Sequence, residues 1–243
     1  MKIPVLYEDE NVLVVDKPAN IVVFSEREEM QETLINLVLE KFSILKNVGS
    51  PPRYGIVHRL DKETSGVLMI AKNNETLFFL QSQFKNRKVI KKYIALLIGK
   101  LKKKKGEINT LIGRSPKQRM KQKIFLPLEP GAKGKRIAIT EFKVLSYFYS
   151  IDKEKHFYTL VEAVSKTGRK HQLRTHFHYL GYPIAGDKLY SFKNQPTPKD
   201  LKRQFLHASF LQVKFKDGKE KKFESELPED LKKVLRNLKE VEE

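Results

Sequence analysis

The chain has 243 residues and no cysteine, so disulfides and thiolate metal sites are excluded. Apolar residues make up 40% of it, with 15 Phe and 9 Tyr to form a core, but no apolar run is long enough to span a membrane and the first residues lack a signal-peptide pattern. The formal net charge of +19 favours a polyanionic partner, and a soluble cytoplasmic protein is expected.

The positive charge is concentrated in the middle of the chain. Residues 85–136 carry 18 basic and 2 acidic side chains, residues 1–84 carry 9 and 12, and residues 137–243 carry 21 and 15. A segment this basic favours binding to nucleic acid. The alternative is a lysine-rich surface that only keeps the protein soluble. An anionic membrane surface fits less well, because the basic run is not an amphipathic helix.

Hydrophobic periodicity predicts the elements of the first third of the chain. The helix predicted over Glu32–Phe42 places Leu34, Leu37 and Val38 on one face. A polar turn is predicted over Asp61–Ser65. The other predicted elements are a buried strand Asn11–Asp16 ended by Lys17-Pro18, strands Ile56–Leu60 and Gly66–Ala71, a helix from Asn73 or Asn74 to about Phe84, and a strand Val89–Ile98.

The segment Leu101–Arg136 differs in composition from the rest. It contains the run Lys102–Lys105, scattered Gly and Pro and no strong periodicity, which predicts a basic excursion built of a hairpin and loops. The elements predicted after it are strands Ile137–Leu145, Tyr158–Val164 and His207–Phe215 and helices His171–Leu180 and Glu229–Val241, with Pro228 at the start of the last. Because strands and helices are intermixed and several strands are neighbours, an α+β fold is favoured.

One dense polar cluster, His58–Gly66, follows an apolar strand. A carboxylate at such a junction, here Asp61, can be held rigidly and still be reached by a ligand, and Gly66 lets the backbone bend. The alternative is a plain turn in which Asp61 accepts hydrogen bonds from backbone N–H groups. The sequence pattern around Asp61 fits both interpretations equally well.

A second polar cluster spans Thr167–His176. On a helix, His171, Arg174 and His178 share one face, and Arg174 would suit a buried carboxylate or an RNA phosphate, although a surface arginine is equally compatible with the spacing. A zinc site of His171, His176 and His178 lacks standard ligand spacing. Tyr93 stands between lysines and apolar residues, which suits stacking on a base or an ordinary strand position.

Taken together, these segments resemble the RluA-type family of pseudouridine synthases. The similarity runs from about residue 7 to 233, and the chain departs from the family pattern at Asn20 and at Phe24-Ser25. The matching segments, in the family's order, are Asp9–Pro18, Ile56–Lys72 around Asp61, Lys91–Gly99 around Tyr93, Thr167–His176 continued by Gly181–Tyr190, Arg203–Ala208 and Leu227–Leu231.

The resemblance implies a fold and a reaction. The fold is α+β: a mixed, largely antiparallel, curved sheet flanked by helices, with the active-site cleft across its middle. The expected organisation is a single catalytic domain over residues 1–243 with the basic excursion at about 100–136 and no separate N-terminal RNA-binding domain. The reaction converts uridine in RNA to its C-glycoside isomer without a cofactor or metal. A monomer is expected.

The resemblance also implies roles for individual residues. Asp61 would be the essential catalytic aspartate, attacking C1′ or C6 or removing a sugar proton, and each role requires it ionised. Arg174 would be its cationic partner. Tyr93 would stack on the uracil and is a candidate acceptor of the C5 proton. The substrate would be a stem-loop of tRNA or ribosomal RNA whose target nucleotide is flipped out of its stack.

A further set of residues is predicted to contact the RNA. Arg59 is the candidate to fill the space that the flipped nucleotide leaves, and Leu206 would form an apolar pocket wall. The others are His58, Lys17, Arg53, Arg169 and Lys170. Two alternatives remain: a non-catalytic RNA-binding or ribosome-assembly protein on the same fold, which would not need Asp61, Tyr93 and Arg174 together, and a metal-dependent nuclease, for which Asp61 and Glu63 offer few carboxylates.

Overall fold

A computed structural model describes residues 3–26, 32–151 and 155–241. The strands are β1 Val5–Glu8, β2 Val12–Lys17, β3 Ser65–Ala71, β4 Ile90–Ile98, β5 Lys105–Arg114, β6 Gln122–Phe125, β7 Arg136–Ser150, β8 Phe157–Ser165, β9 Leu206–Lys214, β10 Glu220–Glu224 and β11 Leu238–Glu240. The helices are α1 Leu34–Lys41, α2 Asn74–Lys85, α3 Gln172–Tyr179 and α4 Glu229–Arg236. None of the helices in these ranges is long and apolar enough to cross a membrane.

The chain forms two compact units. The first consists of Met1–Lys91 and Ala208–Glu226. Its strands lie in the order β1-β2-β3-β9, with β10 antiparallel to β9. Strand β3 is buried along its whole length, and β2 pairs with it antiparallel from Val12 to Lys17. Helix α1 begins after the cap Thr33, and α2 begins after the cap Asn73, whose side chain accepts a hydrogen bond from the N–H of Thr76.

The second unit consists of Lys92–His207 and Leu227–Glu243. Its strands lie in the order β4-β8-β7-β5-β6, all antiparallel, with β11 paired to β7. Helices α3 and α4 contribute Leu173, Phe177, Leu231 and Val234 to one buried apolar cluster with β4, β7 and β8. Side chains along β8 point alternately toward and away from this cluster. The strand therefore alternates between buried and partly buried residues over most of its length.

The predicted α+β class is confirmed, as are most predicted elements. The hairpin predicted in the basic excursion is β5–β6, but β5 also pairs with β7 over eight residues, so this segment is part of the sheet. Two predictions are wrong. Ile56–Leu60 is not a strand: only Ile56 forms a bridge, to Ile70. The C-terminal helix ends at Arg236, and the chain then returns to the sheet as β11.

Smaller differences concern side-chain orientation and strand length. On α1 the buried residues are Leu34, Ile35 and Val38, whereas Leu37 is only partly buried. Strand β7 continues to Ser150, five residues beyond its predicted end, because β8 and β11 pair with its second half. Strands β1 and β10 had no prediction from the sequence. Strand β1 has only four residues and β10 lies in polar sequence, so neither shows a clear apolar periodicity.

Candidate active site

Asp61 lies in the first unit, partly buried, at the start of the turn that leads into β3. The backbone carbonyl of Asp61 accepts a hydrogen bond from the N–H of Thr64 at 3.1 Å, which closes the turn. Thr64 and Ser65 are buried behind it. The carboxylate is therefore carried by a short ordered turn that is continuous with a fully buried strand.

The side chain of Lys17 is hydrogen-bonded to the backbone of this turn. Its side chain is 0% exposed, and its Nζ donates to the carbonyls of Pro18 at 2.8 Å, Thr64 at 2.9 Å and Lys62 at 3.1 Å. These hydrogen bonds fix the turn that bears Asp61. The predicted contact of Lys17 with an RNA phosphate stays a prediction.

His58 also anchors the segment before Asp61. Its Nε2 accepts a hydrogen bond from the N–H of Met69 at 3.1 Å, and its ring stacks on Phe84 with centroids 4.7 Å apart. Burial and, secondarily, the charge of Lys91 lower the pKa of His58 to about 3. The His58 ring is therefore neutral. Its hydrogen bond from the N–H of Met69 takes the place of the strand pairing predicted for residues 56–60. This geometry gives His58 a structural task, and its predicted RNA contact stays a prediction.

The two arginines predicted to contact RNA in this unit share an aromatic neighbour. The guanidinium of Arg53 lies 5.1 Å from the centroid of the Phe24 ring, and that of Arg59 lies 5.0 Å from it. Arg53 also pairs with Glu26 at 2.7 Å. Both arginines are exposed, while the Phe24 ring is buried. The ring thus orients two cations that remain open to solvent.

Arg174 lies in the second unit, on α3, where an ion pair fixes its side chain. It is only 9% exposed and makes a two-pronged ion pair with Asp187, from Nε to Oδ2 at 2.6 Å and from Nη2 to Oδ1 at 2.9 Å. Burial alone would raise the pKa of Asp187, but hydrogen bonds and charge from Arg174 outweigh it and hold that pKa below its ordinary value. Both members of the pair are charged.

The beginning of α3 is bound to β7 by a glutamine. Oε1 of Gln172 accepts from the Thr167 hydroxyl at 2.6 Å and from the N–H of Arg169 at 3.1 Å, and Nε2 donates to the carbonyl of Ile139 and the hydroxyl of Thr140. All four hydrogen-bonding positions of the amide are used. The helix that carries Arg174 is therefore fixed in its position on the sheet.

Tyr190 connects this helix to the basic hairpin. Its hydroxyl accepts from the N–H of Gln122 at 2.6 Å and lies 3.0 Å from Nδ1 of His171. Its ring lies 5.2 Å from the Arg174 guanidinium. Burial raises the pKa of Tyr190 above its ordinary value, so the phenol stays neutral. Strand β6 and the lysines beside it are thereby held next to α3.

The remaining predicted residues of this unit occupy different settings. Tyr93, partly buried on β4 opposite Ala163, packs against the same apolar cluster to which α3 contributes Leu173. Leu206 is buried at the start of β9. Lys170 is exposed just before α3, and the partly buried Arg169 donates from Nε to the carbonyl of Ile137. Tyr93 and Arg174 thus belong to one unit and Asp61 to the other.

The histidines of the proposed zinc alternative are occupied by other contacts. His176 is buried between the hydroxyls of Thr110 and Thr140, and His178 stacks on Phe192 at 4.5 Å. Across residues 3–26, 32–151 and 155–241, no three His, Asp or Glu side chains form a group that could hold a metal ion.

Sequence reasoning assigned no role to Asp187 or Tyr190, although both were part of a matching segment. A buried carboxylate needs a cation, and the position of Asp187 just after the segment Ile184-Ala185-Gly186 was the available indication. The hydrogen bonds from Lys17 to the turn of Asp61 were not foreseen from the sequence.

Comparisons with known proteins identify the family of this chain. Residues 11–179 match the family model described as RNA pseudouridylate synthase. The chain is 42% identical over 199 residues to an uncharacterised RNA pseudouridine synthase of Aquifex aeolicus, covering 82% of this chain and 59% of that protein. It is 36% identical to an uncharacterised RNA pseudouridine synthase of Bacillus subtilis, covering 98% of this chain and 73% of that protein.

The chain is also similar in sequence to relatives with a more specific name, and similar in fold to solved structures. It is 36% identical to ribosomal large subunit pseudouridine synthase D of Pseudomonas aeruginosa, covering 100% of this chain and 74% of that protein. The solved structure of human RNA pseudouridylate synthase domain containing 1 superposes with a TM-score of 0.76 at 25% identity, covering 99% of this chain and 89% of that one. The chain therefore belongs to the RluA-type family of RNA pseudouridine synthases, which are isomerases.

Proposed function

We propose that this protein isomerises a specific uridine in RNA to pseudouridine, with Asp61 as the essential carboxylate. The N1–C1′ bond of the uridine breaks, the uracil turns, and C5 bonds to C1′ while the C5 proton is lost and N1 gains one. The observation that carries the proposal is the turn of Asp61, whose backbone is fixed by hydrogen bonds from Lys17 and Thr64, within the segment that resembles the family's catalytic motif.

A rigid carboxylate suits each of the three roles open to Asp61. Attack on C1′, attack on C6 and removal of a sugar proton all require an ionised carboxylate held at a fixed distance from the bound nucleotide. The turn provides this rigidity because Lys17 ties the carbonyls of Lys62 and Thr64 to the end of β2. Arg174 is the proposed cation that keeps Asp61 ionised when bound RNA excludes water.

Tyr93 and Leu206 are proposed to form the walls of the uracil site. A tyrosine ring offers a face on which the flipped base can stack, which replaces part of the stacking energy lost from the RNA. Tyr93 sits on β4 with its neighbours packed on the apolar cluster of its unit, so its position is well defined. Its hydroxyl is the proposed acceptor of the C5 proton.

The RNA backbone is proposed to be held by cations in both units. Arg59 and Arg53, oriented by Phe24, offer charge in the unit that carries Asp61, and Arg59 is proposed to fill the space that the flipped nucleotide vacates. Arg169, Lys170 and the exposed cations of residues 85–136 would bind phosphates. Contacts between exposed cations and phosphates do not depend on the base sequence of the RNA. We therefore propose that the target uridine is selected through the shape of the RNA.

The relatives support ribosomal RNA as the first substrate to test. Three of them, from Pseudomonas aeruginosa, Nitrosomonas europaea and Borreliella burgdorferi, are named ribosomal large subunit pseudouridine synthase D. We therefore propose a stem-loop of large-subunit ribosomal RNA as the substrate, with a tRNA stem-loop as the second RNA to test. Action as a monomer in the cytoplasm without a cofactor or metal remains part of the proposal.

The test is release of tritium from C5. Unmodified large-subunit ribosomal RNA and a tRNA pool, both transcribed with [5-³H]uridine, are incubated with the wild-type protein, with Asp61→Asn, and with Glu63→Gln as a control that removes a charge from the same turn. We expect release by the wild type and by Glu63→Gln and none by Asp61→Asn. Release by Asp61→Asn, or no release by the wild type from either RNA, would overturn the proposal. Tight RNA binding without release would instead support a non-catalytic RNA-binding protein.

A further inference from the structure

We propose that Asp187 is a positioning residue for catalysis: it aims the guanidinium of Arg174 and does not itself touch the RNA. This inference rests on the proposed role of Arg174. The carboxylate contacts Arg174 through both oxygens, at 2.6 and 2.9 Å, and Asp187 is only 3% exposed. Such a paired contact defines the plane of a guanidinium as well as its distance, which a single hydrogen bond cannot do.

The carboxylate is itself fixed by backbone. Oδ1 of Asp187 accepts from the N–H of Leu189 at 2.9 Å and from the N–H of Tyr190 at 3.1 Å. The preceding Gly186 has φ +75°, and a Cβ there would lie 2.2 Å from the carbonyl oxygen of Arg203. The turn therefore needs this glycine, and it delivers the carboxylate in one orientation.

The guanidinium is then constrained on two sides. Asp187 occupies the edge formed by Nε and Nη2, while the Tyr190 ring lies 5.2 Å from the central carbon. Because the group is planar, fixing two nitrogens also fixes the direction of the third, Nη1. A charge whose direction is set before the substrate arrives stabilises developing charge without reorganisation, which is the usual basis of electrostatic catalysis.

A second arginine–aspartate pair in the same unit provides a matched control. Arg203 is buried and contacts Asp230 through Nε at 2.7 Å and Nη2 at 3.2 Å. Its aspartate side chain is 55% exposed, at the beginning of α4. The two pairs share chemistry and geometry, but only Arg174 has a proposed catalytic role. Removing each carboxylate separates loss of aim from loss of a paired contact to a buried arginine.

The experiment measures single-turnover tritium release with enzyme in excess, because that rate constant does not depend on the fraction of enzyme that is folded. For Asp187→Asn we expect a rate constant about tenfold or more below wild type, since misplacement of a catalytic group by about 1 Å costs up to about 100-fold. The half-saturating enzyme concentration should stay within about twofold of wild type. Asp230→Asn should keep the wild-type rate constant, and Asp187→Glu, which keeps the carboxylate, should fall between wild type and Asp187→Asn.

Several outcomes would overturn the inference. A wild-type rate constant for Asp187→Asn, or an equal loss in Asp230→Asn, would show that aiming Arg174 is not the role of Asp187. If Asp187→Asn does not fold by circular dichroism, Asp187→Glu decides alone: a wild-type rate constant contradicts the inference and a reduced one supports it. Failure of the proposed function is visible separately, as no release by the wild type or undiminished release by Asp61→Asn.

Discussion

Two histidine rings are kept neutral by their surroundings. Burial, with a smaller contribution from Lys91, lowers the pKa of His58 to about 3, and burial lowers the pKa of His176 to about 4. Both rings make hydrogen bonds inside the fold, His58 to the N–H of Met69 and His176 to the hydroxyls of Thr110 and Thr140. Protonation would disturb both arrangements, so these rings link folding to pH.

The stability of the protein should therefore decrease as the solution becomes acidic. In the unfolded chain a histidine takes up a proton near pH 6.5, well above the pKa of either folded ring, so the contribution of each to stability is complete above about pH 6.5 and is lost as pH falls toward the folded pKa. We expect the free energy of unfolding by urea to fall from pH 7 to pH 5. In His176→Asn the slope should be shallower by up to about 1.4 kcal/mol per pH unit. An unchanged slope in that variant would contradict this assignment.

At the scale of single elements, β3 and β9 approach each other very closely at the start of β3. Gly66 has φ +117°, and a Cβ there would lie 2.2 Å from the carbonyl oxygen of Ala208 on β9. No flexible side chain is involved, so neither partner can move aside cheaply. The residue that ends the turn of Asp61 must therefore be glycine for β3 and β9 to lie side by side.

Gly66→Ala should consequently be much more harmful than an alanine at another glycine with positive φ. Gly134 has φ +78° and no atom within 4 Å of its would-be Cβ, so Gly134→Ala should cost only about 1 kcal/mol of backbone strain. For Gly66→Ala we expect a loss of about 3 kcal/mol or more, because overlap with β9 is added to that strain. Chemical denaturation of both variants measures the difference. Equal losses would mean that β9 does not limit this position.

The elements that the sequence predicted well are those with local causes. The Asn73 cap and an apolar face on α1 arise within a few residues, and the structure has the cap and buries Leu34 and Val38 of the predicted face. The wrong predictions have distant causes. Residues 57–60 have strand-like composition, but the side chain of His58 takes the hydrogen bond from Met69 that a backbone carbonyl would have taken. The chain after Arg236 has helical periodicity, yet pairing with β7 captures it as a strand.

At the scale of the whole molecule, the excess of positive charge is concentrated in residues 85–136. Several of its cations are exposed around the β5–β6 hairpin, including Arg114, Lys117, Arg119 and Lys133. Tyr190 ties the hairpin to α3, so these charges keep a fixed position relative to Arg174. A rigid array of this kind contributes to affinity mainly by displacing counterions from RNA.

Removing two of these charges should weaken the salt dependence of RNA binding. Each lost phosphate contact lowers the slope of log affinity against log salt by about 0.7 to 0.9, so Lys117→Gln/Arg119→Gln should reduce it by about 1.5. Lys214→Gln/Lys222→Gln removes the same charge from exposed positions on β9 and β10 and should leave the slope near wild type. Filter binding at KCl concentrations from about 50 to about 300 mM measures the slopes of both double variants. Equal slopes for the two double variants would argue against the hairpin as an RNA contact.

The candidate site was only partly accessible from the sequence. The proposed roles of Asp61, Tyr93 and Arg174 came from matching segments, and the structure adds the supports that no local pattern encodes. Asp187 lies 13 residues after Arg174 along the chain, and the Lys17 ammonium contacts a carbonyl 47 residues away. Side-chain direction at the end of a strand depends on which strand pairs with it, so Lys17 appeared from sequence as one more surface cation.

The contacts of Lys17 also bear on when the turn of Asp61 forms during folding. A turn built only from its own residues can form before the rest of the chain, but the turn of Asp61 is complete only when Nζ of Lys17 reaches the carbonyls of Lys62 and Thr64. That requires β2 and β3 to be aligned with Lys17 opposite Gly66. Closing so long a loop is slow compared with forming a local turn. We therefore expect the Asp61 carboxylate to reach its final geometry late in folding, after β2 and β3 have paired.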